Sequence, residues 1–134
     1  MDLEGFLERF EGSTLHGSDA AHEAAYLEAL DEYERTSGRA ADASWRALLY
    51  IGTADLALWA WMHPRLDYRA DKADLRTDTR PVGNKYLWDL LDLARHLHDP
   101  TQYRAIYLAG MLQSLPERYY RVVMGALREY RGSL

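Results

Sequence analysis

Apolar residues recur at the spacing of an α-helix through most of the chain, and segment 45–62 is apolar on nearly every side. After Arg46, only Thr53 and Asp55 interrupt its run of apolar residues and glycine. A helix without a polar face cannot lie on a protein surface, so other helices must surround it. The pattern therefore predicts an all-α fold, a compact bundle of about five to six helices with a buried central helix at about 43–62.

Capping residues, glycine and proline divide the remaining sequence into further amphipathic helices. Ser18 and Asp42 are favourable N-cap residues, and the Ser37-Gly38 pair ends a helix with the left-handed conformation that glycine allows. Pro64 ends the central helix, because the residue before a proline avoids the helical conformation. The helices are expected at about 2–11, 19–37, 43–63, 84–98, 100–112 and 115–131.

Residues 63–83 follow the least regular pattern of the chain. A stretch of about 20 residues without secondary structure is unusual within a compact domain, so a short surface helix is expected at 66–75. No segment alternates apolar and polar residues in the manner of a strand, and no internal repeat is visible. We therefore expect no strands and a single helical-bundle domain that spans residues 1–134.

Composition restricts the chemistry that the chain can perform. Its 134 residues are 48% apolar and 28% charged, which is typical of one soluble globular domain. The lack of cysteine excludes disulfides, thiolate catalysis and cysteine-ligated metals, and it is consistent with a reducing cytoplasm. The N-terminus lacks the basic start of a signal peptide, and the apolar run at 47–62 is too short to span a bilayer. We expect a cytoplasmic protein without a membrane segment.

Charge changes sign along the chain. Residues 1–42 contain eleven acidic and three basic side chains, residues 43–99 contain eight of each, and residues 100–134 contain two acidic and five basic ones. The net charge of −5 therefore conceals an acidic N-terminal part and a basic C-terminal part. Oppositely charged ends can face each other within a bundle or across a dimer, and we favour this use over a nucleic-acid surface.

Asp55 is the most unusual polar residue, because it falls in the middle of the apolar segment. A buried carboxylate is costly unless it is paired, hydrogen-bonded or protonated. We favour a structural carboxylate that accepts hydrogen bonds from a neighbouring helix. The candidate donors are His22, Tyr26, Arg104 and Tyr107. The alternative is a functional group, such as a general base or a metal ligand, with a tuned pKa.

Carboxylate and histidine side chains share one side of the fourth predicted helix. Asp89, Asp92 and His96 are about one turn apart, a spacing that can bind a divalent ion in a helical bundle. Lys85 and Arg95 lie on the same side, so ion pairing on a solvated face explains the pattern without a metal. The sequence also lacks a phosphate-binding loop, a dinucleotide motif and a supported nucleophile. We expect no metal, no cofactor and no catalytic residues.

The last predicted helix carries the surface best suited to a partner. Its arginines fall within one arc opposite the buried stripe, a glycine lies in the same arc, and a tyrosine and a methionine flank the stripe. These residues are Arg118, Tyr120, Arg121, Met124, Gly125 and Arg128. An exposed glycine between arginines would let the backbone of a partner, or a phosphate, approach closely.

Three functions agree with these features. The first is a non-enzymatic protein-interaction module, above all a homodimer formed through the third or the sixth predicted helix, because the apolar residues exceed what the predicted helices can hide. The second is a small nucleic-acid-binding subunit of a nucleoprotein assembly, which would combine the sixth-helix arginines with the basic residues of segment 65–80. The third is an enzyme or ligand carrier with a polar site around Asp55.

Overall fold

The computed structural model describes Leu15, residues 19–76, residues 85–99, Ile106 and residues 108–132. Six α-helices and one small hairpin form within these ranges. They are α1 (Asp19–Ser37), α2 (Ala43–Thr53), α3 (Leu56–Met62), β1 (Leu66–Asp67), β2 (Lys72–Ala73), α4 (Lys85–His98), α5 (Leu108–Ser114) and α6 (Glu117–Arg131). The predicted helix at 2–11 and the predicted start of the fifth helix lie outside the described residues.

The centre of the bundle is α2. Eight of its eleven residues are buried, namely Trp45 and the run from Ala47 to Thr53. Four helices, α1, α3, α4 and α6, pack against it. The predicted all-α bundle with a buried central helix is thereby confirmed. The predicted cap of this helix is also present, because the Asp42 side chain accepts a hydrogen bond from the Trp45 amide at 3.0 Å.

The central helix ends earlier than predicted, because the chain leaves the helical conformation at Asp55. Asp55 has extended backbone angles, φ −135° and ψ 130°, and its side chain accepts a hydrogen bond from the Leu58 amide at 2.8 Å. Short polar side chains favour such positions because they compete with the helix for backbone hydrogen bonds. The prediction of one helix at 43–62 is wrong in this respect, since α2 and α3 share the segment.

A glycine gives α3 room to fold back against α2. A Cβ atom built at Gly52 would lie 2.6 Å from Met62 Sδ and 2.9 Å from Trp59 Cε3, closer than ordinary contacts allow. Because glycine lacks this atom, the two helices can approach each other tightly at this point. The break therefore keeps the inner residues of α3 in the core, where Ala57, Leu58 and Met62 are buried.

A short antiparallel hairpin stands where the sequence predicts a surface helix at 66–75. Asp67 of β1 lies opposite Lys72 of β2. The Asp67 side chain accepts a hydrogen bond from the Ala70 amide at 3.1 Å, and Asp71 adopts a left-handed conformation with φ 58°. Both features favour a tight turn. The predictions of a helix here and of no strands are wrong, because this local turn chemistry prevails.

Aromatic packing fixes the hairpin to the core. Tyr68 is 6% exposed, and its ring centroid lies 5.2 Å from that of Tyr33 and 5.5 Å from that of Trp45. Arg39 donates a hydrogen bond to the Tyr68 carbonyl oxygen at 2.8 Å. Tyr68 in the turn and Leu75 after β2 are both buried, so the hairpin segment contacts the core at two points.

The two longest helices of the C-terminal half are α4 and α6. The apolar stripe predicted for α4 is buried, whereas the one predicted for α6 is buried except at its end, where Leu127 is half-buried and Tyr130 is 38% exposed. The buried residues of α4 are Leu87, Leu90, Leu91, Leu93, Ala94 and Leu97. Those of α6 include Tyr119, Val122, Val123 and Ala126. Among the helices in the described ranges, none combines the length and the apolar character that crossing a membrane requires.

Candidate functional site

Side by side on α2, the helices α1 and α6 run in the same direction. Near the start of both, Arg121 Nη1 lies 3.3 Å from Asp19 Oδ2, and further along the Tyr26 hydroxyl donates to Glu129 Oε2 at 3.1 Å. A groove of about 280 Å³ lies between them, which we call the α1/α6 groove. Its lining consists of Asp19, His22, Glu23, Tyr50, Arg118, Arg121, Val122, Met124, Gly125 and Arg128.

The floor of the α1/α6 groove is formed by His22 and Tyr50. His22 Nε2 donates a hydrogen bond to the backbone carbonyl oxygen of Tyr50 at 2.8 Å, and the two ring centroids lie 4.2 Å apart. This carbonyl group can accept the bond because the Ala54 amide donates to the Ile51 carbonyl instead of continuing the helix. The break before Asp55 thus creates an acceptor that holds α1 against α2.

Gly125 lies beneath the groove and not on its rim. It is buried, and a Cβ atom built on it would lie 2.6 Å from Tyr50 Cε1. The glycine therefore lets the Tyr50 ring pack directly against the backbone of α6. The expectation of an exposed glycine between arginines is wrong, because α6 is turned so that this position faces α2.

The Tyr50 hydroxyl is a neutral group in a charged groove. Burial raises its pKa above the usual value, Arg128 opposes this, and the carboxylates of Glu23, Asp19 and Glu129 add to the increase. The phenol therefore stays protonated at physiological pH and can donate or accept a hydrogen bond. The charges of the groove are confined to its two walls, with acids on α1 and arginines on α6.

The outer face of α6 carries the predicted surface residues other than the glycine. Arg118, Tyr120, Arg121, Met124 and Arg128 are all exposed, Tyr120 to 39% and Met124 to 42%. Met124 lies near the middle of this face, with Arg121 about one turn before it and Arg128 one turn after it. Such a mixture of arginine, tyrosine and methionine is typical of protein interfaces, and its role in one stays a prediction.

The outer face of α1 has the same arrangement with the opposite charge. Leu27 is 54% exposed, and the exposed acids Glu23, Glu28 and Asp31 lie around it. The sequence shows that residues 1–42 are acidic, but its analysis misses Leu27, because it seeks the apolar stripe only on the buried side of the helix. The signal is nevertheless present, since Leu27 lies four residues after Glu23 and four before Asp31, on one side of the helix.

Asp55 is fully buried and caps α3 through the Leu58 amide. Its backbone also forms an isolated antiparallel bridge with Leu15. Two of the predicted donors bond to other groups, His22 to a backbone carbonyl and Tyr26 to a carboxylate on α6. The other two lie outside the described residues. Because Asp55 does not line the α1/α6 groove, these contacts support a structural carboxylate over a general base.

The acidic face of α4 is partly buried and engaged in an ion pair. Arg95 Nη1 lies 3.0 Å from Asp92 Oδ1. Burial raises the pKa of Asp89, with the neighbouring Asp92 adding to the increase, and burial also raises the pKa of Asp92 itself. Within the part of the chain that the structure describes, no group of three or more acidic or histidine side chains could hold a metal ion. The ligand spacing noted around His96 is therefore not matched by a cluster there.

The nucleic-acid hypothesis combines basic residues of α6 with those of the hairpin segment, and these two groups lie near opposite ends of α1. The hairpin packs on Tyr33 near the end of α1, whereas the α1/α6 groove lies at Asp19 and His22 near its start. Tyr33 is eleven positions after His22, which corresponds to about 16 Å along the helix. Arg76 of the hairpin segment is in addition paired with Asp74. The nucleic-acid hypothesis therefore rests on the arginines of α6 alone.

Comparison with known proteins gives no relative of this chain: no family model, no curated protein and no solved structure matches it. Any function must therefore be argued from the α1/α6 groove and the two faces beside it.

Proposed function

We propose that the protein is a non-enzymatic interaction module that self-associates through the outer face of α6. The observation that carries this proposal is the exposed pair Tyr120 and Met124 among exposed arginines. Aromatic residues, methionine and arginine are enriched at protein interfaces, whereas lysine and acidic residues are depleted there. Because α6 is anchored by its buried stripe, these side chains are presented on a fixed scaffold.

Of the two helices considered as interfaces, α6 is the better supported. The first part of the other segment, α2, is covered by helices of its own chain. The second part, α3, exposes Leu56 to 45% but buries Ala57, Leu58 and Met62. A homodimer through α6, by contrast, needs no core residue to become exposed.

Light scattering coupled to size-exclusion chromatography, over a dilution series in the micromolar range, tests self-association. A dimer has twice the 15.5 kDa mass of the chain. The double variant Tyr120→Ala/Met124→Ala should weaken the dimer by about tenfold or more, because truncating a tyrosine that acts as a central hot spot costs about 2 kcal/mol or more. A wild-type chain that is monomeric at every concentration contradicts the proposal.

Leu56→Ala is the matched control for this experiment. Leu56 is as exposed as Met124 but lies on α3, so its truncation removes a similar apolar surface from a different face. We expect this variant to dimerise like the wild type. An equal loss in the control would place the interface on α3 instead of α6.

A second candidate function, nucleic-acid binding, is favoured by one observation: Arg118, Arg121 and Arg128 are exposed on the same helix. Phosphate contacts release counterions, so binding to labelled single- or double-stranded nucleic acid should weaken steeply with salt. Replacing the three arginines by alanine should reduce both the affinity and the salt dependence. No mobility shift at low salt would exclude this function.

A further inference from the structure

The outer faces of α1 and α6 are complementary. On α1, Glu23 and Glu28 lie near the exposed Leu27. On α6, the exposed Met124 lies between an arginine one turn before it and Arg128 one turn after it. Each face therefore has an apolar centre and a rim whose charges are mostly of one sign. The exceptions are Glu117 in the first turn of α6 and Arg35 in the last turn of α1. An interface that joins the two faces would surround an apolar contact with pairs of opposite charge.

Part of this charge is satisfied within the chain and part is left for a partner. Asp19 and Arg121 pair across the groove at 3.3 Å. Three further charged residues are exposed and form no ion pair with any other described residue: Glu28 on α1, and Arg128 and Arg131 on α6. Acidic charge on α1 and basic charge on α6 are thus both available at the surface.

The common direction of α1 and α6 decides how two copies can meet through this surface. A twofold axis parallel to the helices places α1 of each copy opposite α6 of the other, in one self-complementary interface. Within one chain, Asp19 is at the same height as Arg121, and Tyr26 is at the same height as Glu129. In such a dimer, the first turns of α1 in one copy therefore lie along the whole of α6 in the other. A twofold axis perpendicular to the helices would instead oppose acids to acids and arginines to arginines.

We infer that the outer face of α6 binds the acidic outer face of α1 in a second copy, so that the dimer contains two identical α1–α6 contacts. The inference rests on the proposed function, because it names the partner surface for the self-association described above. The like-with-like arrangement is disfavoured, since juxtaposed like charges oppose association. Because the two contacts are related by symmetry, any substitution acts on both of them.

Charge reversal followed by mixing tests this pairing. One variant carries Arg128→Glu and Arg131→Glu on α6, and the other carries Glu23→Arg and Glu28→Arg on α1. Each variant alone should dimerise more weakly than the wild type by about tenfold or more, because both contacts become like-charged. An equimolar mixture should regain nearly the wild-type affinity, because the heterodimer has one native contact and one with its charges exchanged. Native mass spectrometry identifies the heterodimer by its mass.

The matched control is Arg69→Glu/Lys72→Glu on the hairpin, which shifts the net charge as much as the α6 variant does. Both residues are exposed, and this variant should dimerise like the wild type. Circular dichroism verifies that every variant is folded. If a charge reversal unfolds the chain, glutamine at the same positions provides a milder pair, for which a smaller loss on both helices is expected.

The outcomes separate this inference from the proposed function. If the wild type dimerises but the mixture stays monomeric, the α1–α6 pairing is wrong and self-association stands. If the α6 variant dissociates while the α1 variant does not, α6 contacts a different surface and the pairing is again wrong. A monomeric wild type overturns both.

Discussion

Asp55 and Asp42 cap consecutive helices in different surroundings. Each side chain accepts a hydrogen bond from the amide three residues later, at 2.8 Å for Asp55 and 3.0 Å for Asp42. Asp55 is fully buried, whereas Asp42 is exposed. Water can replace a lost cap at the surface but not in the core, so the same interaction has a larger effect on stability at Asp55.

Asp55→Ala should lower the free energy of unfolding by about 2–3 kcal/mol, because it removes the cap and leaves a buried amide unsatisfied. Asp42→Ala should cost about 1 kcal/mol, the usual effect of an exposed N-cap. Asp55→Asn retains an acceptor and should cost less than Asp55→Ala. Urea denaturation measures all three. An Asp55→Ala chain that is more stable than the wild type would contradict the structural role and favour a functional one.

His98 makes the stability of the fold depend on pH. Burial lowers the pKa of its imidazole below the usual 6.5, although the carboxylates of Asp42, Asp71 and Asp99 act in the opposite direction. Since the unfolded chain takes up this proton at a higher pH than the fold does, the unfolded state binds more protons between the two pKa values. The stabilising contribution of the neutral His98 side chain is therefore complete above its usual pKa. It is lost as the pH falls through the pKa that this side chain has in the folded state.

The free energy of unfolding should accordingly decrease as the pH falls below the usual imidazole pKa of 6.5, and this decrease should be smaller in His98→Gln. Asp89 and Asp92 affect stability in the opposite direction. Their pKa values are raised in the fold, so the free energy of unfolding gains a contribution as the pH falls towards their usual pKa of 3.8 and these carboxylates take up protons. Chemical denaturation at a series of pH values separates the two effects. Equal pH dependence in variant and wild type over the upper range would show that another group is responsible.

For helices and strands, the sequence predicts those features that depend on residues adjacent in the chain. The end of α1 at Gly38, with φ 73°, and the start of α2 after Asp42 both depend on residues adjacent in sequence. The buried stripe of α4 follows from its period alone. The break at Asp55 also has a local cap, from the amide three residues later, but the sequence alone does not predict it. An aspartate within an apolar run is compatible either with a cap or with a buried carboxylate inside one helix, until the contacts of this region with Leu15 and His22 are known.

The hairpin and the α1/α6 groove likewise depend on contacts between distant residues, which the sequence does not predict. Strands of two residues are too short to display alternation, and the position of the hairpin depends on contacts between Tyr68 and Trp45, which are distant in sequence. The spacing of the α6 arginines predicts that they share one side of the helix. The rotation of that helix, which buries Gly125, depends on Tyr50 and is not contained in the spacing.

Two buried tyrosines attach elements to the core in different ways, and a matched pair of substitutions tests the difference. The Tyr26 hydroxyl joins α1 to α6 through Glu129, whereas the buried Tyr68 hydroxyl has no hydrogen-bond partner among the described residues. Tyr26→Phe should therefore cost about 1 kcal/mol, while Tyr68→Phe should leave stability unchanged or increase it. Calorimetric melting ranks the variants, and a greater loss for Tyr68→Phe would contradict this account.

Over the whole molecule, the charge gradient of the sequence becomes a charge gradient in space. The acidic N-terminal part supplies α1, the basic C-terminal part supplies α6, and the two lie side by side on α2. The sequence predicts that opposite charges face each other within the bundle or across a dimer. Which of these applies depends on helix direction and spacing, and Asp19 with Arg121 is such a pair between the described parts of α1 and α6.

A dimer held by opposite charges should weaken as salt is added. The Debye length falls from about 10 Å at 0.1 M salt to about 3 Å at 1 M, so rim pairs between α1 and α6 lose attraction while the contacts of Leu27 and Met124 persist. The Kd from light scattering should rise by about tenfold over this range and then level off. In Arg128→Glu/Arg131→Glu the dependence should reverse, because salt then screens a repulsion. A wild-type Kd that is constant or falls with salt, without reversal in the variant, would mean that apolar contacts alone join the two copies.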